Sequence, residues 1–117
     1  MTTEQSNDIR MKMGQYVATM DWKSITTCKS MYVTLNYEYA TQVCIVVTDG
    51  IFYLREVNYA PKVLLRVDGN EISWDRVGFI STQTAMLVRY WEVIKKAIND
   101  FYAEEKRISE SIENFTA

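Results

Sequence analysis

The side chains able to do acid–base or metal chemistry are few in this chain, because its 117 residues include no histidine. Histidine is the usual general base, the usual partner of a catalytic serine or cysteine, and the commonest zinc ligand. The glycine-rich phosphate-binding motifs and the G-x-S-x-G nucleophile motif are also missing from the sequence. We therefore predict a protein that is not an enzyme and that holds no metal and no cofactor.

A cluster of acidic residues, Asp68, Glu71 and Asp75, has the oxygen ligands that divalent cations prefer. The cluster surrounds Gly69-Asn70, a dipeptide typical of tight turns between strands. Charged side chains beside such a turn keep a hairpin soluble. We interpret the cluster in that way rather than as a metal site.

The two cysteines, Cys28 and Cys44, are 16 residues apart and form no C-x-x-C pair. Cys44 lies in the apolar run Gln-Val-Cys-Ile-Val-Val, where a buried free thiol is the usual case. The N-terminal residues are polar and acidic, unlike a secretory signal, and no apolar run approaches the ~18 residues that span a bilayer. These features predict a reduced, cytoplasmic protein that does not cross a membrane.

The overall composition is that of one globular domain. Hydrophobic residues make up 48% of the chain and charged residues 24%, which are ordinary values for a folded protein. The 13 basic and 15 acidic residues give a net charge of −2. A protein that works by neutralising many phosphates is usually basic, so this balance disfavours nucleic acid as the main partner.

The last third of the chain, Ser81–Phe115, is expected to form a long helix. Large residues recur there at steps of four and three, and only Glu105 in this seam is not apolar. The seam comprises Leu87, Trp91, Ile94, Ile98, Phe101, Glu105, Ile108, Ile112 and Phe115. No proline or glycine follows Gly78, so the backbone permits one continuous helix of roughly 45 to 50 Å. A shorter N-terminal helix is expected from about Ile9, with residues 1–8 frayed.

Between these helices, period-two patterns predict five strands in a single domain of 117 residues. The strands are expected at Met31–Tyr39, Gln42–Thr48, Ile51–Val57, Lys62–Val67 and Glu71–Val77. Asp49-Gly50 and Gly69-Asn70 are strong signals for two-residue hairpins. No helical pattern interrupts the strands. We therefore predict an α+β fold: an N-terminal helix, a five-stranded antiparallel meander, and a long C-terminal helix packed on one sheet face.

The tight turns fix the pairing of the strands they join and so divide the sheet into two faces. If Val57 opposes Lys62 across the longer third turn, the apolar side chains fall on one core face. That face would carry Val43, Ile45, Val47, Phe52, Leu54, Val63, Leu65, Val67, Ile72 and Trp74. The opposite face would carry two rows, the first of Val46, Tyr53, Arg66 and Ser73 and the second of Cys44, Arg55, Leu64 and Asp75.

This opposite face is the candidate binding surface, because arginine and aromatic groups among apolar ones are typical of interfaces. Its candidate partner-binding residues are Val46, Tyr53, Arg55, Leu64 and Arg66. Two other interpretations stand beside this one. Strand propensity alone favours valine and tyrosine on an exposed sheet, with Arg66 paired to nearby carboxylates. Alternatively, the N-terminal helix covers this face.

The charged end of the C-terminal helix, residues 102–117, continues the apolar seam with only Ile108, Ile112 and Phe115. Each such side chain contributes about 1.5–3 kcal/mol when it is buried, so these candidate oligomerisation residues are expected to meet a partner. The partner is the N-terminal helix, the same helix of a second copy, or a different protein. We expect a homodimer through this helix.

By elimination, the sequence favours a non-enzymatic protein-binding module that binds another protein or protein complex. We expect a small inhibitor or adaptor acting sterically on a larger macromolecular machine, of the kind that viruses and mobile elements encode. The alternative is a nucleic-acid-binding protein that uses the open sheet face for base stacking and phosphate contacts. Its contact residues would be Lys23, Lys29, Arg55, Lys62 and Arg66, with Tyr32, Tyr53 and Tyr59 as stacking groups.

Overall fold

The computed structural model describes residues 1–27, 29–57, 62–76 and 80–116. Helix α1 (Thr3–Val17) and a short 3-10 turn (Trp22–Ser24) precede five strands, and two helices follow them. The strands are β1 (Lys29–Asn36), β2 (Thr41–Thr48), β3 (Ile51–Glu56), β4 (Val63–Asp68) and β5 (Glu71–Ser73), and the helices are α2 (Ile80–Arg89) and α3 (Trp91–Thr116). Strand order follows chain order, and each neighbouring pair is antiparallel. The predicted α+β fold with a meander sheet is confirmed.

Helix α1 begins six residues earlier than the sequence pattern predicted, at Thr3 rather than near Ile9. A capping box fixes its start. The Thr2 hydroxyl accepts a hydrogen bond from the Gln5 backbone N–H (3.1 Å), and the Gln5 side chain accepts one from the Thr2 N–H (2.8 Å). A Thr-x-x-Gln sequence is a recognised capping signal, so the prediction of a frayed start was wrong for a reason visible in the sequence.

Strand β1 ends at Asn36, three residues before the predicted end. The Asn36 side-chain oxygen accepts hydrogen bonds from the backbone N–H groups of Glu38 (3.0 Å) and Tyr39 (3.4 Å), which is an Asx turn. Ala40 completes this turn with a φ of 50°. Tyr37 and Tyr39, predicted as strand residues, are therefore exposed on the turn.

The two tight hairpins set the register that the sequence predicted. Thr48 pairs with Ile51, and Asp68 pairs with Glu71. Asp49, Gly50 and Gly69 adopt positive φ values of 53°, 74° and 61°, as the turn geometry requires. The predicted first row across the sheet, Val46, Tyr53, Arg66 and Ser73, is reproduced pair by pair.

The register between β3 and β4 differs from the prediction at one residue. Leu54 pairs with Leu65 but Arg55 pairs with Val63, so Leu64 is the extra residue of a β-bulge. Side chains alternate between faces in a regular strand, and the bulge turns Leu64 into the core, where it is fully buried. The prediction that Leu64 lies on the opposite face is therefore wrong.

The buried side chain of Arg10 stabilises this bulge. Its Nη1 donates to the Leu64 carbonyl oxygen (2.9 Å), and its Nε donates to the Thr84 hydroxyl on α2 (2.7 Å). The neighbouring carbonyls are also satisfied, since Lys62 accepts from the Glu56 N–H (2.9 Å) and Val63 accepts from the Asp75 N–H (2.8 Å). A buried carbonyl without a partner costs about 1–3 kcal/mol, so Arg10 makes the bulge compatible with burial.

The predicted continuous C-terminal helix is interrupted at Tyr90, between α2 and α3. The i to i−4 hydrogen bonds from Tyr90 to Met86 and from Ile94 to Tyr90 persist across the interruption. No proline or glycine is present there, and two tertiary contacts accompany the interruption. The Tyr90 hydroxyl accepts a hydrogen bond from the Asn36 amide (3.2 Å), and the Trp91 ring packs edge-on against Tyr16 at 6.0 Å.

Helices α1 and α3 pack on the core face of the sheet, and α2 packs against both of them. Helix α1 packs on β4 and β5, and α3 packs on β1. Trp22 in the 3-10 turn stacks on Phe52 of β3, with the ring centroids 4.9 Å apart. Trp22 and Ile25 are both buried in the core. None of the helices in the described part of the chain is long and apolar enough to cross a membrane.

Candidate protein-binding surfaces

The sheet face opposite the helices, which we call the outer face, is open to solvent. Along its rows, Tyr32 is 65% exposed, Arg55 is exposed, and Val46, Tyr53 and Arg66 are half-buried. Helix α1 packs on the other side of the sheet, so the alternative in which this helix covers the outer face is wrong. Four of the five predicted partner-binding residues therefore share one accessible face.

Tyr53 and Arg66 form the centre of the outer face. They are directly opposite one another on β3 and β4, and the Arg66 guanidinium carbon lies 5.9 Å from the centroid of the Tyr53 ring. The Asp68 carboxylate lies 3.5 Å from Arg66 Nη2 and 2.8 Å from Lys23 Nζ. Tyr53 first, and then Asp68 and Glu71, raise the pKa of Arg66. Arg66 thus presents a positive group held beside an aromatic ring.

A shallow depression of about 330 Å³ lies next to this pair, over β1, β2 and β3. Its lining residues are Ser30, Tyr32, Cys44, Val46, Arg55, Glu56 and Val57. Cys44 lies at its floor with a free, buried thiol, and burial raises the pKa of that thiol above its usual range. A protonated thiol is a poor nucleophile, so the depression offers shape and apolar contact rather than cysteine chemistry.

The cations expected to contact nucleic acid are partly occupied by carboxylates. Lys29 pairs with Glu105 at 3.5 Å, and Lys23 and Arg66 both pair with Asp68. Lys29 also lies on the helix side of β1, because it belongs to the same side as Met31 and Val33. Arg55 and Arg66 lie in the strand rows of the outer face, whereas Lys62 precedes β4. Two arginines are a weak electrostatic footprint for phosphates.

The second candidate surface is the end of α3. Two hydrogen bonds attach the beginning of this segment to the residues before β1. Glu105 is 2% exposed and accepts a hydrogen bond from the Thr27 hydroxyl (2.5 Å). The Ser109 hydroxyl accepts one from the Thr26 N–H (3.1 Å). These contacts explain why the seam has a charged residue at position 105. Beyond Ser109 all described residues are exposed, including the apolar Ile112 and Phe115.

The predicted oligomerisation residues lie at this end with different degrees of exposure. Ile108 is half-buried, Ile112 is 49% exposed, and Phe115 is 91% exposed. Helix α1 lies elsewhere, because Tyr16 near its end donates a hydrogen bond to Asn99 (2.9 Å), in the first half of α3. The alternative in which the N-terminal helix covers these three residues is therefore wrong.

Some residues that shape the surfaces were not identified from the sequence. The burial of Arg10 was missed, because the buried side of the predicted N-terminal helix was read from its apolar residues alone. Tyr32 was not placed in the outer-face rows, because the longer turn between β1 and β2 left the register of β1 undetermined. Its observed partner is Cys44.

The acidic cluster and the comparisons add no chemistry to these surfaces. No group of three or more potential ligands that would hold a metal ion occurs among the residues that the structure describes. Comparison with protein-family models, with curated proteins and with solved structures found no match to this chain. The candidate surfaces must therefore be judged from their own geometry.

Proposed function

We propose that this protein is a non-enzymatic protein-binding module whose outer sheet face docks on a larger protein or complex. The observation that carries the proposal is the pairing of Tyr53 with Arg66 at the centre of an uncovered sheet face. Tyrosine and arginine are enriched among the residues that dominate binding energies at interfaces. In this position both are held by the sheet, so little side-chain entropy is lost on binding.

The surroundings of this pair support a protein partner over a nucleic acid. Val46 and Tyr32 add apolar and aromatic area beside it, and the depression above Cys44 can receive a side chain of the partner. Asp68 lies beside Arg66 and would repel phosphate while it tolerates a mixed protein surface. Mixed charge around an aromatic centre is the usual composition of a protein interface.

The action of such a module would be steric. A folded domain of 117 residues that occupies a functional surface on a machine excludes other partners from that surface without reactive groups of its own. The same binding could instead link two components, in which case the module is an adaptor. Whether the module acts as an inhibitor or as an adaptor, the outer face makes the contacts with the partner and the helices face away from it.

A site-directed photocrosslinking experiment tests the location of the interface. Tyr53 is replaced by a photoreactive phenylalanine analogue, and Ala103, exposed on α3, receives the same analogue as the matched control. We expect a defined protein adduct from position 53 in extract of the source cell and none from position 103. Equal adducts from the two positions, or adducts to nucleic acid from position 53, would overturn the proposal.

Binding to the protein so identified then tests the energetics. The double variant Tyr53→Ala/Arg66→Ala should bind at least about 30-fold more weakly, since each hot-spot residue contributes about 2 kcal/mol or more. The control Tyr39→Ala/Arg107→Ala removes the same residue types from the β1–β2 turn and from α3, and should bind as the parent does. Affinity should fall only slightly between low and moderate salt, whereas phosphate contacts would give a steep loss.

A further inference from the structure

The two edges of the sheet differ in a way that bears on assembly. The β5 edge is short, Glu71–Ser73, and is flanked by acidic residues. The β1 edge is eight residues long, and from Ser30 to Leu35 it carries no charge and no proline. Natural proteins usually protect an exposed edge by shortening it or by placing charges on it. The β5 edge is protected in this way and the β1 edge is not.

The hairpin register identifies which backbone groups of β1 face outward. The two-residue turn makes Thr48 and Ile51 a hydrogen-bonded pair, and such pairs alternate along antiparallel strands. The odd residues of β2 therefore bond to β1, through its residues Met31 and Val33. It follows that Ser30, Tyr32 and Thr34 direct their N–H and C=O groups away from β2. These are the groups that a further strand would bond.

Helix α3 runs beside this edge and antiparallel to β1. Asn36 at one end of β1 contacts Tyr90, and Lys29 at the other end contacts Glu105. A groove of about 270 Å³ separates the helix from the edge. Its lining residues are Lys29, Ser30, Met31, Asp100, Phe101, Glu104 and Glu105. Any strand added to β1 would therefore also meet this flank of α3.

The flank of α3 beside β1 can pair with a copy of itself. At about 100° per residue, Val93 and Ala97 lie on the same flank as Asp100, away from the side on which Asn99 contacts α1. Val93 is 48% exposed although it is apolar. The contacts Asn36–Tyr90 and Lys29–Glu105 align α3 with β1, and their midpoint on α3 is near residue 98. A two-fold axis through the middle of β1 therefore passes α3 near that residue. Lys96 and Asp100 form an ion pair within α3, with Nζ 2.6 Å from Oδ2. Two antiparallel copies of α3 would bring this pair beside the same pair of the second copy, so that each lysine also faces the aspartate of the other chain.

The end of α3 alone offers too little area for a stable dimer. Ile112 and Phe115 together would bury at most about 350 Å² per protomer, given that a full aromatic side chain buries about 150–250 Å². Two copies would then bury about 700 Å², whereas specific interfaces bury about 1,200–2,000 Å². A strand pairing along the eight residues of β1, together with a helix pairing along α3, engages a longer surface than the end of α3 alone.

We propose that two copies of this chain pair through their β1 edges, antiparallel, to form one continuous ten-stranded sheet with their α3 helices side by side. The partner is a second copy because the edge, the flanking helix and the charges at Lys96 and Asp100 are all self-complementary about one axis. The interface uses the backbone edge of β1 and the flank of α3, and it leaves Tyr53 and Arg66 at the centre of the outer face free. The inference is therefore independent of the function proposed above.

Hydrogen exchange gives the sharpest test, because it needs no substitution. In the dimer, the amides of Ser30, Tyr32 and Thr34 gain hydrogen bonds, and their protection should rise with protein concentration. The amides of Met31 and Val33 already bond to β2 and serve as the internal control, with protection in monomer and dimer alike. Unprotected outward amides in a sample that is dimeric by mass would overturn the proposal.

Sedimentation of matched variants gives an independent test. The parent chain should reach twice its 13.7 kDa mass, and Tyr32→Pro, which removes one outward N–H, should weaken dimerisation at least tenfold. Val93→Lys should do the same without touching the sheet, while Gln15→Lys, at an exposed position of α1, should have no effect because α1 packs on β4 and β5 at the other end of the sheet. A parent chain that stays at 13.7 kDa up to about 100 μM would overturn the proposal. A dimer lost in Ile112→Ser/Phe115→Ser but kept in Tyr32→Pro and Val93→Lys would do so as well.

Discussion

Replacing Gly14 by alanine should destabilise the protein, although the same change in most helices is stabilising. A Cβ at this position would lie 2.4 Å from Ile72 Cγ2, 3.0 Å from Cγ1 and 3.1 Å from Cδ1. Alanine gains about 0.8–1.0 kcal/mol over glycine inside a helix. Overpacking of a closely packed contact costs about 1–3 kcal/mol. The net loss of unfolding free energy should therefore be about 1 kcal/mol.

The sign of this effect should depend on residue 72. In an Ile72→Ala background all three contacting atoms are removed, so Gly14→Ala should stabilise the protein by the helix-propensity gain of about 1 kcal/mol. Ile72→Val is the matched control, since valine keeps the γ carbons that meet the new Cβ, and Gly14→Ala should still destabilise it. The coupling between the two positions should be about 1–3 kcal/mol, measured by urea unfolding with unchanged m values.

The same effect of Gly14→Ala in all three backgrounds would refute this reasoning. It would mean that the glycine is not required by the contact between α1 and β5, and that the approach of helix to strand relaxes at little cost. A stabilising effect in the parent chain would lead to the same conclusion. Either result would mean that the short β5 hairpin moves to accommodate the Cβ added at position 14.

Two further predictions concern polar contacts. Arg10→Met should lower the unfolding free energy by about 1–3 kcal/mol, because the Leu64 carbonyl loses a buried donor, and a change below about 0.5 kcal/mol in urea unfolding would contradict this. The Asp68 pKa is lowered, mainly by its hydrogen bond from Lys23, so its stabilising contribution is present at neutral pH and is lost as the pH falls through that lowered pKa. Lys23→Gln should therefore reduce the loss of stability between about pH 5 and pH 2, and parallel pH profiles of parent and variant would contradict it.

The sheet could be predicted from the sequence wherever a short turn determines the geometry. Asp49-Gly50 and Gly69-Asn70 each permit essentially one hairpin, and the register beside both was correct. Between Glu56 and Val63 the connection is longer, and regular alternation was assumed across it. The bulge at Leu64 depends on a donor from Arg10, 54 residues away. Local patterns carry no information about such a contact.

The candidate site was predictable to the same extent as the register. The Asp49-Gly50 hairpin places Val46 opposite Tyr53. The pairing of Tyr53 with Arg66 rested on the assumed Val57–Lys62 pairing, and it is correct because the bulge lies beyond Leu54 and leaves this part of the register unchanged. The openness of the row that they form could not be predicted, since the apolar side of a helix does not specify which sheet face it covers. The interruption at Tyr90 was missed for a similar reason, because the contacts with Asn36 and Tyr16 that accompany it come from distant elements.

The bulge in β4 and the arginine that bonds to it should be kept or lost together among relatives of this chain. A relative that lacks the extra residue at position 64 would have a regular strand, and its carbonyl groups would bond to neighbouring strands. The guanidinium at position 10 would then be buried without the Leu64 carbonyl as an acceptor. An apolar residue should therefore replace the arginine in such a relative. Loss of one feature with retention of the other is the combination that natural sequences of this fold should avoid.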